Sequence, residues 1–318
     1  MESTVRTTGG VAHLLPDELE APPLSLGELT WRRFRRHKMA LFGGVTLILL
    51  VLYSFGGAFI FSEAFANRTE TGARLQSPSA EHPFGTDTIG RDILARTIYG
   101  GQISLLIGLT AMLVEVFIGV LVGSLAGYYG GKLDSLLMRF TEAVLTVPQI
   151  FLLLVMAKFF GDKIPNLELL GRTFSGSVIV IILIIGLTSW PYLARIVRAE
   201  FLSLKEREFI LAARATGTPT SQIIFRHILP NSIAPIVVSA TLGVASAITL
   251  EAYISFLGLG VRPPTATWGN MLEGAYNYIE EAYWLWLFPG ALIVLIVLSI
   301  NFLGDGLRDA LDPHSRAI

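Results

Sequence analysis

Three glutamates stand inside stretches of sequence that are otherwise almost entirely apolar, namely Glu115, Glu142 and Glu251. An ionised carboxylate is costly in hydrocarbon, so such residues normally face protein or water and often mark the path of a solute or a proton. Glu142 and Glu251 are therefore candidate pathway residues, and Glu115 is a third suspect. Two structural explanations stay open: Glu142 pairs with Arg139 one helical turn earlier, and Glu251 forms a hydrogen bond beside Ser255.

The sequence lacks the motifs of common catalytic and nucleotide-binding sites. Its five histidines are far apart, and no His-Glu-x-x-His or Gly-x-Ser-x-Gly occurs, which argues against a zinc protease or a serine hydrolase. No glycine-rich segment ends in Gly-Lys-Ser or Gly-Lys-Thr, so any nucleotide must bind elsewhere. The absence of cysteine excludes disulfides, thiolate metal sites and a cysteine nucleophile. We therefore expect a chain that is not an enzyme and has no catalytic, cofactor-binding or metal-binding residues.

The composition predicts a membrane protein, because 52% of the 318 residues are hydrophobic and only 15% are charged. A helix needs about 20 mostly apolar residues to cross a bilayer. Six stretches qualify, and they are Met39–Phe61, Ile103–Ala126, Leu137–Phe160, Val178–Trp190 with its flanks, Ile233–Leu257 and Trp284–Leu303. The fourth stretch is short and is followed by Pro191, so its helix must begin near Phe174 to cross. Pro148 and Pro289 predict kinks in the third and sixth spans.

Basic residues indicate a cytoplasmic N-terminus. With six spans, the segments on the same side as the N-terminus hold 16 of the 24 lysines and arginines, and such residues are retained in the cytoplasm. A secretory signal is rejected, because the first apolar run is 23 residues long and follows a polar leader of 38 residues. The predicted organisation is a cytoplasmic leader with a basic anchor (1–38), a first transmembrane helix (39–61), an extracytoplasmic lobe (62–101), a core domain of five transmembrane helices (102–304) with a cytoplasmic loop at 191–230, and a cytoplasmic tail (305–318).

The cytoplasmic loop is predicted to contain a short helix over residues 204–217. The segment is rich in helix formers and ends at Gly217, and Pro219 prevents simple continuation. Its small residues allow a partner to approach the backbone, and its apolar residues offer anchors for a groove; these residues are Phe209, Ile210, Ala212, Ala213 and Gly217. An amphipathic helix lying on the membrane surface is the alternative on composition alone.

The run Leu211-Ala212-Ala213, followed by Gly217 and by Pro230 thirteen residues later, resembles the Glu-Ala-Ala loop of ATP-binding-cassette (ABC) importer permeases. In that family the loop is the coupling helix that docks in a cleft of the ATPase subunit. The resemblance therefore implies coupling through Phe209, Ile210, Ala212, Ala213, Gly217 and Pro230. Leu211 stands where the family has its glutamate, so a salt bridge from that position is not expected.

Four further stretches resemble the "C"-type permease subunit of the dipeptide, oligopeptide and nickel branch, and they are Trp31–Lys38, His82–Asp92, Glu251–Asn270 and Asn301–Pro313. The second contains the external motif residues Gly85, Thr86, Asp87, Gly90, Arg91 and Asp92. Turn and cap formers of this kind also suit a purely structural loop. The functional alternative is that this lobe and loop 259–282, with Trp268 and Tyr276, help to receive a substrate-delivering protein.

The resemblance implies an all-α integral membrane protein with six transmembrane helices in the type I ABC importer permease fold, with a cytoplasmic coupling helix. Such a subunit would form half of a translocation path for oligopeptides or dipeptides in the cell (inner or plasma) membrane, with both termini cytoplasmic. Its implied partners are a second homologous permease, two ABC ATPase subunits that hold ATP and Mg, an extracytoplasmic substrate-binding protein and membrane lipid, with no nucleic acid. The alternatives are an ABC permease for nickel, glutathione or sugar, an ion-coupled secondary transporter whose glutamates carry protons, and a membrane scaffold that transports nothing.

Overall fold

The computed structural model describes residues 26–161, 163–169 and 172–311. Most of the leader (1–25) and the end of the tail (312–318), including Pro313 of the C-terminal motif, lie outside the described residues. The α-helices are α1 Leu26–Phe34, α2 Lys38–Val51, α3 Glu63–Asn67, α4 Ile93–Tyr129, α5 Gly131–Thr146, α6 Gln149–Phe160, α7 Ser177–Leu204, α8 Glu208–Ala215, α9 Thr220–Gln222, α10 Leu229–Asn231, α11 Ile233–Phe256 and α12 Trp284–Leu311. Two short strands, β1 Leu167–Leu169 and β2 Arg172–Phe174, pair as an antiparallel hairpin.

Shorter helical segments complete the described chain. A π-helix, Leu52–Gly56, and a 3₁₀-helix, Gly57–Phe59, extend α2, so that its span runs over Lys38–Phe59. A second π-helix, Ile223–Ile228, joins α9 to α10. Three further 3₁₀-helices lie in the loops, at Thr71–Ala73, Asn270–Leu272 and Ala275–Tyr278.

Five helical segments of the described chain are long and apolar enough to cross a membrane, and they are Lys38–Phe59, α4, α7, α11 and α12. Helices α5 and α6 meet the same test only as a pair, which is bent by 82°. The predicted third span, Leu137–Phe160, is therefore broken at Pro148, where a kink was expected. Val147 is extended at the break, because the ring of Pro148 disfavours helical backbone in the preceding residue. The predicted six spans are reached when the bent pair counts as one.

Helix α7 continues through Pro191 to Leu204, so the fourth span is far longer than its apolar run. A proline inside a membrane helix removes one backbone hydrogen bond, but packing on both sides holds the helix together. Beyond Pro191, the side chains of Leu193, Val197 and Phe201 are all buried. The loop predicted over 191–230 accordingly begins with four turns of helix.

Two predicted boundaries differ from those in the structure. The external lobe was predicted to reach residue 101, but α4 begins at Ile93, because the carboxylate of Asp92 accepts a hydrogen bond from the Ala95 amide at 2.8 Å. The short helix predicted over 204–217 is also narrower. Residues 205–207 form a turn after α7, and the helix itself is α8, Glu208–Ala215.

A row of glycines on α4 allows that helix to pack closely against α7. Gly119, Gly123 and Gly127 are spaced by four residues and share one face. A Cβ atom at Gly123 would lie 2.5 Å from the Ala194 carbonyl oxygen, and one at Gly127 would lie 2.6 Å from the Phe201 Cβ. Small residues at this spacing let membrane helices approach to backbone contact. The α4–α7 pair is consequently the tightly packed centre of the bundle.

The bundle has two distinct ends. One, here called the lobe end, carries residues 60–92, the β1–β2 hairpin and loop 257–283. The other, here called the α8 end, carries α8, the start of α5 and α11, and the far ends of α4 and α7. The start of α2 packs on the end of α12 at the α8 end, because Ala40 lies against Gly306. The start of α2 and the end of α12 therefore both lie at the α8 end of the bundle.

Candidate pathway and partner-docking site

A cavity of about 260 Å³ with several polar residues in its walls lies between the long helices. Its polar lining comes from four different elements, and the residues are Glu115 of α4, Gln149 of α6, Ser189 and Tyr192 of α7, and Ser239 and Ser246 of α11. The side-chain amide of Gln149 donates a hydrogen bond to the Ser189 hydroxyl at 3.1 Å. The bend between α5 and α6 brings Gln149 here, because α6 starts directly after the break. We call this space the Glu115 cavity.

A second cavity, of about 720 Å³, adjoins the first towards the α8 end. The two share Tyr192 and Ile196 in their walls. The charged lining of the second cavity is Glu142, Arg195 and Arg198. Glu142 is exposed and makes no ion pair with Arg139 among the described residues. Glu115 and Glu142 thus line two adjoining cavities.

Glu251 lies elsewhere, at the lobe end of α11, and lines neither cavity. Its side chain is fully buried, and its Oε1 atom accepts hydrogen bonds from the hydroxyls of Ser255 and Thr267, both at 2.7 Å. Thr267 belongs to loop 257–283, so the carboxylate ties this loop to α11. The prediction of Glu251 as a pathway residue is wrong. Its hydrogen bond with Ser255 is the structural alternative that the sequence left open.

Helix α8 is anchored to the bundle by Ile210. That side chain is 0% exposed and packs with Phe201, Ile223 and Ile228. The guanidinium of Arg214 also lies 5.5 Å from the ring centre of Tyr128 on α4. Ile210 therefore cannot anchor a partner protein, and that part of the prediction is corrected. The sequence shows that the helix has an apolar face. It does not show whether that face packs on the chain's own bundle or on a partner protein.

The opposite face of α8 is open. Phe209 is 45% and Leu211 is 47% exposed, and Ala212 is exposed as well. Ala213 is partly buried. Pro230, in the short helix α10, is exposed as well, on the same end of the bundle. The structure thus gathers the predicted coupling residues at one end, with Ile210 turned inward and the others available at the surface.

One ion pair and one hydrogen bond hold together the helix ends next to α8. The guanidinium of Arg198 on α7 makes a bidentate pair with Asp134 on α5, with Nη2 at 2.7 Å from Oδ2. Bidentate geometry of this kind is the stronger form of ion pair. Lys205 donates to the Gly127 carbonyl at the end of α4 at 3.2 Å. These contacts tie the end of α7 to α5 and to the end of α4, next to α8.

Gly217 ends α8 in a Schellman motif. The amide of Thr218 donates to the Ala213 carbonyl and that of Gly217 donates to the Arg214 carbonyl, both at 3.0 Å. Gly217 has a φ of +77°, and nothing lies within 4 Å of the place where a Cβ would stand. Glycine is therefore favoured at this position by the left-handed backbone and not by a shortage of space.

Replacing Gly217 with valine is expected to impair transport without preventing membrane insertion. A branched residue in left-handed backbone costs about 1–2 kcal/mol, so the turn after α8 should rearrange. Asparagine tolerates this conformation, so Gly217→Asn is the matched control and should retain most uptake. Uptake normalised to the amount of subunit in the membrane provides the measurement. Equal uptake by the valine and asparagine variants would show that this helix terminus does not matter.

The external motif is a folded loop whose polar groups satisfy one another. Asp87 accepts hydrogen bonds from the amides of Ile89 and Arg91, at 3.0 and 2.9 Å, and from the Arg91 guanidinium at 2.6 Å. Asp92 caps α4 and also contacts His82 Nδ1 at 2.8 Å. Thr86 is buried and its hydroxyl donates to the Ala73 carbonyl. These contacts agree with the structural explanation.

The motif also docks the lobe on α12. Gly85 and Gly90 both have positive φ values, of 73° and 83°, and they turn the chain so that the Trp284 indole donates to the Thr86 carbonyl at 3.1 Å. The rings of Phe84 and Phe288 stack with centres 3.9 Å apart. A cavity of about 240 Å³ separates the motif from loop 257–283, and both Asp87 and Arg91 line it.

Trp268 does not face a partner, contrary to expectation. It is 0% exposed, and its indole N–H donates to the Thr97 carbonyl at 2.7 Å. Tyr276, in contrast, is 60% exposed at the lobe end. The lobe and loop 257–283 do lie side by side, but only Tyr276 of the two named aromatic residues is accessible.

Comparison with known proteins identifies the family. Residues 119–317 match the family model described as "Binding-protein-dependent transport system inner membrane component". The chain belongs to this family. In addition, residues 25–78 of the permease match the N-terminal transmembrane domain of oligopeptide transport permease C. It is therefore a multi-pass membrane component of an ABC importer.

Individual relatives cover nearly the whole permease. It is 38% identical to the dipeptide transport system permease protein DppC of Alkalihalophilus pseudofirmus, over 95% of this chain and 94% of that one. It is also 38% identical to the oligopeptide transport system permease protein OppC of Haemophilus influenzae, over 94% of this chain and 92% of that one. An inward-facing structure of the MetNI methionine ABC transporter has the same fold, with a TM-score of 0.52 and 22% identity over 68% of the permease and 95% of that chain.

Sequence reasoning missed several residues that line the Glu115 cavity of the permease. Ser239, Gly243 and Ser246 recur at spacings of four and three and share one face of α11 with the Glu115 cavity. A helical period of polar and small residues inside an apolar run is a signal that was available. Gln149 and Ser189 had no such signal, because the bend after α5 brings them together.

Proposed function

We propose that this permease forms half of the translocation path of an ATP-driven importer of dipeptides or oligopeptides. Peptide cargo is supported by the names of its relatives, which are dipeptide and oligopeptide transport system permeases. The Glu115 cavity and the adjoining cavity at Glu142 supply the polar surface along which such a solute moves. A second, homologous permease would cover this open surface and complete the path.

The α8 end is proposed to face the cytoplasm. Fourteen described lysines and arginines belong to this end or to the helix turns next to it, against eight at the lobe end. Short basic segments remain on the cytoplasmic side of a membrane. Both termini of the permease would then be cytoplasmic. The lobe, with Tyr276 exposed beside it, would receive an extracytoplasmic substrate-binding protein.

The observation that carries the proposal is the geometry of α8. Its inner face is fastened to the bundle through Ile210, while its outer face presents Phe209, Leu211 and Ala212 to the surrounding space. A short helix with small and apolar residues outward suits insertion into a groove. We propose that the groove belongs to one of two ABC ATPase subunits, which hold ATP and Mg.

Coupling would follow from this attachment. Closure of the ATPase pair on ATP would move the groove and α8 with it, and the Arg198–Asp134 pair and the Lys205 contact would pass the motion to the long helices. Rigid movement of the helices would expose the Glu115 cavity to alternate sides of the membrane. The permease itself performs no hydrolysis in this scheme.

Isolation of the permease from its native membrane, followed by reconstitution, tests the proposal. We expect two ATPase subunits and a second permease to accompany it, and we expect uptake of labelled dialanine to require ATP and the binding protein. Recovery of the chain alone, with uptake driven by an ion gradient, would favour the rival ion-coupled transporter, which Glu115 could serve as a proton carrier. ATP-dependent uptake of nickel, glutathione or a sugar in place of peptide would support the ATP-driven importer and contradict peptide as its cargo.

A further inference from the structure

The Glu115 carboxylate is a buried acidic group with no protein partner. Its side chain is 9% exposed, and no hydrogen bond or ion pair to it occurs in the described part of the chain. Glu115 lines the Glu115 cavity, next to Gly243 of α11. A carboxylate in such a place is expensive unless a positive group accompanies it.

The walls of the cavity do not supply that positive group. No lysine, arginine or histidine is among the described residues that line it. The other polar residues that line the cavity carry hydroxyls and an amide, and they are Gln149 of α6, Ser189 and Tyr192 of α7, and Ser239 and Ser246 of α11. These groups accept hydrogen bonds from a donor-rich ligand as readily as they donate.

The glycine at position 243 of α11 lets the Glu115 carboxylate lie close to the backbone of that helix. A Cβ atom at Gly243 would stand 3.0 Å from Glu115 Oε2, which is tighter than ordinary van der Waals contact. The cavity volume of about 260 Å³ also far exceeds the roughly 30 Å³ that one water molecule occupies in the liquid. The space therefore fits an organic group and not only a bare ion.

We propose that Glu115 is a cation-binding subsite that receives the ammonium group of the cargo as it passes. This inference rests on the proposed peptide function and deepens it, because every dipeptide with a free amino terminus carries such a group. An N–H···O bond between an ammonium and a carboxylate is charge-assisted and is stronger than its neutral counterpart. The surrounding hydroxyls and the Gln149 amide oxygen accept the remaining ammonium protons. Glu115 acts here by binding the cargo and takes part in no covalent step.

The test uses the complete transporter, with its binding protein saturated by dialanine or by N-acetyl-dialanine. Glu115→Gln keeps the shape of the side chain and removes its charge, so it should lower dialanine uptake about tenfold and leave N-acetyl-dialanine uptake nearly unchanged. Glu168→Gln, which removes the same charge from the exposed strand β1 outside both cavities, is the matched control and should leave the uptake of both peptides nearly unchanged. Glu115→Asp should keep the preference for the free amine. Gly243→Ala retains the charge but crowds it, and should lower dialanine uptake selectively.

A carbodiimide that labels buried carboxyl groups provides a second measurement on the same complex. Labelling of Glu115, located by mass spectrometry, should be blocked by n-butylammonium and not by n-butanol. An equal loss of both peptides in Glu115→Gln, or protection by sodium or magnesium ions as strong as that by n-butylammonium, overturns the ammonium subsite. Failure of the unmodified transporter to take up dialanine overturns the peptide function instead, and n-butylammonium protection then still decides the subsite.

Discussion

Replacing Ala212 with tryptophan is expected to lower ATP-driven uptake by about 10- to 100-fold. Ala212 is exposed on the outer face of α8, where we place the contact with the ATPase. Overpacking of a close interface costs about 1–3 kcal/mol, and each 1.4 kcal/mol changes an equilibrium tenfold. The helix itself should survive, because Ile210 on its other face remains buried. Uptake and ATPase recovery in the purified complex are the measurements.

A size-matched variant separates docking from folding. Ala212→Ser changes polarity but hardly changes volume, and it should keep uptake close to that of the unmodified permease. Both variants should reach the membrane in equal amount and unfold at similar temperatures, since surface substitutions usually alter stability by no more than about 0.5 kcal/mol. Normal uptake by the tryptophan variant would mean that nothing packs closely on this face.

Replacing Trp268 with alanine is expected to destabilise the fold by about 4 kcal/mol. Trp268 is completely buried in a cluster that joins α2, α4, α11 and α12. Its ring is packed so closely against α4 that a Cβ atom at Gly101 would lie 2.6 Å from it. The variant would lose this packing and the indole hydrogen bond to the Thr97 carbonyl. Denaturant titration in mixed micelles measures the change in the free energy of unfolding.

Two further variants make this prediction specific. Trp268→Phe keeps most of the packing and loses the N–H donor, so it should cost only about 1 kcal/mol. Trp31→Ala removes the same side chain from α1, where it is 60% exposed, and should change little. A similar loss for Trp31→Ala and Trp268→Ala would contradict the burial of Trp268.

Hydropathy predicted where the long helices lie, because the length of an apolar run reflects the thickness of the bilayer. Pro148 was recognised as a kink, but the 82° bend depends on how α5 and α6 pack against their neighbours. Helix α7 passes Pro191 for a similar reason. Its later turns are stabilised by the glycine face of α4, which no local property of residues 191–204 reveals.

Whether an individual side chain is buried or exposed was harder to predict than the position of the helix that carries it. Ile210 and Phe209 are neighbours with similar chemistry, yet one is buried and the other is exposed. Glu251 and Glu115 both stand in apolar runs, but only Glu251 meets hydroxyl groups from the chain itself. Each difference follows from residues distant in sequence, such as Ile228 and Thr267, and so cannot be read from a local pattern.

Cysteine cross-linking most directly tests the claim that α8 is the contact between this permease and an ATP-hydrolysing partner. The sequence contains no cysteine, so each introduced thiol reports on one position. In the complete transporter, Ala212→Cys should cross-link to a cysteine placed in the ATPase groove, whereas Ile210→Cys and Tyr276→Cys should not. The account would be contradicted if the Ala212→Cys variant failed to cross-link while the complex remained intact, or if a membrane-impermeant maleimide labelled it from outside the cell.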